Sequence, residues 1–416
     1  MNSCKPMYLL NMVIFIAACG GGGGEVIDLV PDPEEPFLRS TGLDTGDMDG
    51  DGLTDIVVAG RVVSPDSPTT GHIDVLLQDI GSPGTFLTPQ RYPTSALPRQ
   101  MKLADVNGDS LPDVIATNRF SEKSFDLLLH DPLNVGQLGA STDYTTVSEP
   151  NHIATGDIDK DGFVDIIIAG EQSVAWHPQQ ANGSFSTRET IGTGVDTLVV
   201  EDLDGNGLLD VVTQDNNLDG DLLFYLQSST MPGVFNPPQS VRLGSPLHML
   251  ALGDLNRDGR TDIAAASGDV KDIANFFGVW YPVPQTSSNP LTFTPLPRLG
   301  TASDFDTYTI DIVDLNGNGR ADVVVGNFNG AGERSSVQVF LQTTVPGQFL
   351  SDANYLLPAN TEPHIRNDMH AVSIADLNGD LLPDIAVSNN RVYVLFQDQG
   401  VPGRFGGPIL IAGSKP

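Results

Sequence analysis

Aspartates crowd into short stretches of this chain at alternating positions. The first stretch reads GDMDGDGLTDIVVAG over residues 46–60. Asp47, Asp49 and Asp51 alternate, Gly52 permits a sharp bend, and Asp55 closes the set. Calcium takes six to eight oxygens at roughly 2.3–2.6 Å. Carboxylates at positions 1, 3, 5 and 9, with a backbone carbonyl at position 7, supply most of such a shell. A single copy reads equally well as a hydrated Asp/Gly turn. Repetition decides for the cation.

The spacing recurs as DVNGDSLPD from Asp105, DIDKDGFVD from Asp157 and DLDGNGLLD from Asp202. It continues as DLNRDGRTD from Asp254, DLNGNGRAD from Asp314 and DLNGDLLPD from Asp376. Successive first aspartates lie 45 to 62 residues apart. The loops differ in charge: loops one and three carry four aspartates, loop six only two. Loops two and seven place Ser110 and Leu381 where the others have glycine. A residue forced to φ > 0 there costs roughly 1 kcal/mol or more.

The elements that must hold these loops follow from their flanks. Each loop runs into a β-branched, apolar stretch such as IVVAG, IIIAG or VVVGN. Runs such as HIDVLLQ, DLLFYLQ and RVYVLFQ come next, then turns such as PGTF or PGRF. One more alternating run precedes each loop, as in HMLALG. The unit is strand, acidic loop, strand, turn, strand, glycine turn, strand. Four short strands per unit make one propeller blade, and seven units predict an all-β, seven-bladed β-propeller. Helical periodicity is nowhere sustained, and 30 prolines with 44 glycines suit a turn-rich β protein. A calcium solenoid would repeat about every nine residues.

The loop followed by an apolar strand resembles the FG-GAP/VCBS repeats, which build the propeller heads of integrin alpha subunits and many bacterial surface proteins. The resemblance covers roughly residues 37–413. It implies calcium between the first two strands of each blade. The implied ligands are Asp47, Asp49, Asp51 and Asp55 in loop one, and Asp105, Asn107, Asp109 and Asp113 in loop two. Loop three offers Asp157, Asp159, Asp161 and Asp165; loop four offers Asp202, Asp204, Asn206 and Asp210. Loops five, six and seven offer Asp254, Asn256, Asp258 and Asp262; Asp314, Asn316, Asn318 and Asp322; and Asp376, Asn378, Asp380 and Asp384.

The N-terminus sets an expected location. Met7–Ala18 has the length of a signal-peptide core, too short for a membrane span. IAAC, ending in Cys19, resembles a bacterial lipobox. The expected arrangement is a lipoprotein signal peptide over 1–18, a glycine-rich tether over 19–36 lipidated at Cys19, and the propeller over 37–413. Gly20 after the cysteine favours, by resemblance, the outer membrane. Cys4 would leave with the signal, so no disulfide is expected. Formal net charge is −32, which argues against nucleic-acid partners and anionic surfaces.

No GxSxG, HExxH, P-loop, CxxC or dinucleotide fingerprint is present, so the chain is not expected to be an enzyme. Six residues before each loop stand Thr41, Arg99, Asn151, Asp196, His248, Tyr308 and His370. If that strand is innermost, they form a polar ring at one mouth of the central channel, about 20 Å from the loops. Arg99, His248, Tyr308 and His370 are the candidate ligand-binding residues. Two residues further on, Leu43, Met101, Ile153, Leu198, Leu250, Ile310 and Val372 would head an apolar inner ring. Trp280 and Tyr281, in the aromatic segment 269–299, are either core or a stacking surface. The expected function is a calcium-stabilised, membrane-anchored surface binding or adhesion module with a protein or glycan ligand. The alternatives are an extracytoplasmic polysaccharide-acting enzyme and a scaffold subunit of an envelope complex.

Overall fold

In a computed structural model of the chain, the described residues are 37–412 except 65–66, 120–123, 148, 216–219, 268–278, 289–290, 301–305, 330–333 and 359–368. The segments expected to be signal peptide and tether, Cys19 among them, and residue 413 lie outside them. The described residues form strands and turns, with no α-helix. Seven four-stranded antiparallel sheets follow one another along the chain. They occupy 37–93, 97–145, 152–192, 195–241, 247–300, 306–356 and 371–412. The expected seven-bladed propeller is the architecture found.

Within each blade the strands pair in sequence order. In blade three, His152–Gly156 pairs with Asp165–Ala169, which pairs with Val174–His177, which pairs with Glu189–Gly192. The second strand, DIIIA, is buried at every residue. It lies centrally with packed neighbours on both faces, so its sequence is continuously apolar rather than alternating. The fourth strand is the outer edge. In blade one it is Gln90–Pro93, alternating between half-buried and exposed, and Pro93 blunts the edge.

The first strands form the inner ring. Each neighbours the first strand of the next blade, and Ala371–Ala375 of blade seven neighbours Phe37–Gly46 of blade one. Hydrophobic cores lie between blades, one at each of the seven joints. The seam between blades seven and one has its own, built on Leu43, Ile56, Val58, Ala386 and Val394. Among the described residues no strand is shared across the seam. The ring closes by side-chain packing.

The expected apolar inner ring is corrected by these cores. Leu43, Met101, Ile153, Leu198, Leu250, Ile310 and Val372 each pack into the joint with the preceding blade. In five of the blades, all but three and seven, irregular pairing just before them turns them from the channel side, as shown below. Trp280 is fully buried, edge-on to Phe340 and Phe349, and Trp176 fills the joint between blades three and four. Tyr281 is buried in the joint between blades four and five. Core packing is therefore the role of all three.

Candidate functional site

Two sets of polar residues sit at the two ends of the first strands. At the far end each strand enters an acidic loop. In loop one the Asp47 carboxylate accepts the N–H groups of Gly50 (2.7 Å) and Gly52 (3.0 Å). The Asp51 carboxylate accepts the Leu53 N–H (2.8 Å). These bonds curl the backbone around its own carboxylates. The curl needs a left-handed residue at position 6: Gly52 has φ 87°, and Ser110 and Leu381 are forced to 69° and 67°. The strain expected at those two substitutions is present.

The ninth aspartate has a second task that the ligand pattern did not show. Asp55 accepts the Met48 N–H on one oxygen and the Gln78 N–H on the other, both at 2.7 Å. The same pair of bonds recurs at Asp113, Asp165, Asp210, Asp262, Asp322 and Asp384. The carboxylate thus ties the loop to the end of the third strand. The residue at that strand end is glutamine in six blades and His130 in blade two. Several of these glutamines also reach the preceding blade. The Nε2 of Gln227 donates to Ile158 O (2.9 Å), that of Gln285 to Leu203 O (2.8 Å) and that of Gln342 to Leu255 O (2.6 Å). The signal was visible in the terminal glutamine of runs such as HIDVLLQ and SVQVFLQ.

Electrostatically these loops carry more negative than positive charge: Lys160, Arg257, Arg260 and Arg320 are set against the loop carboxylates, and Arg260 pairs with Asp258. Burial raises the ninth aspartates, to about 7 at Asp55 and Asp210 and about 6 at the other five. Backbone hydrogen bonds oppose the shift, and neighbouring loop charges modify it. The donor set fits a divalent cation. Oxygens of Asp47, Asp49 and Asp55 lie within 4.8 Å of one another, as do those of Asp157, Asp159 and Asp165, and of Asp202, Asp204 and Asp210. Two ligands of one calcium ion are separated by no more than about twice the 2.3–2.6 Å bond. In the other four loops asparagine stands at position 3. Asn256, Asn316 and Asn318 each hold a buried side-chain oxygen with no hydrogen-bond donor. Such an acceptor suits a cation.

The opposite strand ends converge. Thr41, Arg99, Asn151, Asp196, His248, Tyr308 and His370 all line one cavity of about 380 Å³ at the channel mouth. Gln100, His152, Met249, Phe328 and Met369 complete it. In five blades the pairing register slips at the ring position: between Ser40 and Gly42, Pro98 and Met101, Val195 and Leu198, Leu247 and Met249, and Thr307 and Thr309. A bulge re-aims a side chain. It sends the polar residue toward the axis and the apolar residue two positions on into the joint. Asp196 shows the local cost, with φ 60°. In blades three and seven Asn151 and His370 precede the strand, their N–H groups held by Ala169 O (2.8 Å) and Ser388 O (2.9 Å).

Within the mouth His248 and Tyr308 stack at 4.5 Å between ring centroids, 11° from parallel, with Phe328 edge-on to Tyr308. The Asn151 carboxamide donates to Asp196. His152, from blade three, meets the Met249 sulfur of blade five at 3.1 Å. Burial, aided by Lys102 and Arg99, lowers His152 to about 4, so its ring is neutral near pH 7. Gln100, His152, Met249, Phe328 and Met369 were not singled out by the sequence. Nothing local marks them, because ring geometry brings them there.

A ring of seven blades with an acidic loop between the first two strands of each defines a repeat-built β-propeller. The FG-GAP-like repeat model matches residues 47–116, 157–213, 202–265 and 314–387, and the chain belongs to that family. No curated protein sequence matches it. Among solved structures, an Agrocybe aegerita lectin, described for specific recognition of non-reducing terminal N-acetylglucosamine, is 18% identical with a TM-score of 0.53. The alignment covers 89% of this chain and 94% of that one. A Bacteroides fragilis protein provisionally described as a 6-phosphogluconolactonase is 14% identical with a TM-score of 0.53, over 92% of this chain and 97% of that one. At these identities the likeness is one of fold.

Proposed function

We propose that this protein is a calcium-stabilised binding module, held at a bacterial outer membrane by lipid on Cys19, that engages a protein or glycan ligand at the channel mouth. One observation carries the binding site: seven different polar or amphipathic side chains, one from each blade, line a single concavity. Convergent polar groups beside aromatic rings in a concave place are the usual makings of a ligand site. Calcium belongs to the acidic loops, where Asp and Asn oxygens supply its shell and the ion supplies balancing positive charge. The lipid anchor rests on the sequence around Cys19.

The reading is tested by glycan-array and pull-down binding with calcium present. The wild-type chain is compared with an Arg99→Ala/His248→Ala/His370→Ala variant. Ligand retained by the wild type and lost by the variant, at equal melting temperature, is the expected result. A ligand that ignores the variant puts the site elsewhere. Turnover of a bound polysaccharide, seen as newly released reducing ends, would replace the binding reading by the enzymatic one. For the anchor, Cys19→Ala should abolish lipid labelling and free the protein from the membrane fraction.

A further inference from the structure

Resting on the channel mouth as the ligand site, we propose that it takes the end of a neutral carbohydrate chain, one sugar residue deep. The mouth has two unlike halves. Blades two to four contribute Arg99, Asn151 and Asp196; blades five and six contribute the stacked His248–Tyr308 pair.

The hydrogen-bonding half is incomplete by itself. Asn151 is only 4% exposed. Its amide nitrogen donates to Asp196, and its side-chain oxygen is buried without a donor. A buried acceptor left so is costly. It lines the cavity. A ligand that brings a donor there recovers that cost. Arg99 beside it can only donate, and the Asp196 carboxylate only accepts. A hydroxyl does both, so adjacent hydroxyls on one ring can give a donor to the Asn151 oxygen and to Asp196 and accept from Arg99.

The other half asks for a flat, apolar face. The stacked pair presents aromatic surface beside those polar groups. A pyranose has this division, with hydroxyls on its edge and C–H bonds on its face.

Charge selects a neutral sugar. The formal charges of Arg99 and Asp196 cancel, and the chain as a whole, at −32, repels polyanions. Depth selects a chain end. The contact between His152 and Met249 joins blades three and five one residue below the ring and forms part of the mouth's floor. A polysaccharide entering the mouth meets that part of the floor. Its terminus can enter, and about 380 Å³ has room for one ring with water.

The test is calorimetric titration of the calcium-loaded chain with neutral gluco-, manno-, galacto- and xylo-oligosaccharides. Uronate oligosaccharides and a basic peptide serve as the contrasting classes. One neutral series should bind one molecule per chain. Its affinity should change less than about threefold between two and five sugar residues, because only the end is held. Asn151→Leu should weaken binding at least about tenfold, or about 1.4 kcal/mol. Tyr308→Ala should do the same while Tyr308→Phe stays within about threefold, which separates lost stacking from a disturbed fold. If a uronate or the peptide binds instead and is Asn151-dependent, the mouth is a binding site but the ligand class is wrong. Neutral-sugar binding that ignores both Asn151→Leu and Tyr308→Ala overturns the mouth reading as well. Binding by no member of the panel overturns the carbohydrate assignment.

Discussion

The two ends of the first strands follow different rules from blade to blade. At the loop end, seven blades repeat nearly one solution: the same left-handed bend and the same ninth aspartate taking two backbone N–H groups. At the mouth, the seven equivalent positions hold Thr, Arg, Asn, Asp, His, Tyr and His. A task done once per blade favours repetition. A task done once per ring favours difference, because a single ligand meets seven positions from seven directions. Sequence symmetry marks where the repeat supports itself, and its loss marks where the ring acts as one object.

The sharpest way to break this comparison is to remove metal. Without ions most loop carboxylates face one another with little compensation, Asp258 beside Arg260 being an exception, while the mouth residues are untouched. Each ion at a hundredfold excess over its Kd stabilises the fold by about 2.7 kcal/mol. Exhaustive chelation should therefore lower the melting temperature by more than about 10 °C. An unchanged melting curve after confirmed metal removal would sink the calcium assignment.

Acidity should then partly rescue the metal-free protein. The ninth aspartates have folded pKa values of about 6 to 7 against an ordinary 3.8. Between these values the folded chain binds more protons than the unfolded one, so stability falls as pH rises through that window. The chelated protein should melt higher at pH 5 than at pH 7.5. Calcium binds the ionised form, so the loaded protein should lose or invert this trend. A chelated protein more stable at pH 7.5 would contradict the burial argument.

Inequality among the loops gives a smaller effect. Loop three has four carboxylates and loop six two. One charge–charge contact near 4 Å is worth roughly 4 kcal/mol at an effective dielectric near 20, before desolvation. Only part survives, because asparagine still offers an oxygen. Loop six should empty before loops one and three as calcium is lowered in soaked crystals. Asp161→Asn should weaken its loop about tenfold, and Asn318→Asp should strengthen loop six by a similar factor. Loop six filled while loop three is vacant would refute the charge count.

The smallest effect tests backbone strain alone. Leu381 holds φ 67° and is 89% exposed, so its side chain contributes little packing. Leu381→Gly should raise stability by about 1 kcal/mol or somewhat less, since glycine also loosens the unfolded chain. A denaturant midpoint that falls would show that the leucine has a contact of its own.

Much of this was legible in the residues. The loops, the four-strand unit and the ring positions are local patterns, and local patterns survive folding. Position 6 of the loop was legible even in its exceptions, Ser110 and Leu381. The apolar residues two places after the ring were assigned the wrong side. Strand alternation assumes an unbroken register, and nothing in Thr41, Asp196 or Tyr308 announces the bulge beside it. The floor of the mouth was hidden for a different reason. His152 and Met249 are 97 residues apart, and it is the curvature of successive blades around the axis that brings them together.

Closure itself has a consequence for how such a chain can change. The seam between blades seven and one has the same kind of core as the other six joints and, among the described residues, shares no strand. Even the turn of blade one nestles against the loop of blade seven, where a side chain at Gly84 would stand 3.2 Å from Asn378. Blade two meets blade one likewise, at Gly136 against Asp49. A joint of this kind does not count. Duplication or loss of one whole unit would leave every surface with a partner, and only the wedge angle of the blades would resist. Gene-level change can therefore add and remove blades as modules, and would alter the composition of the mouth each time it did so.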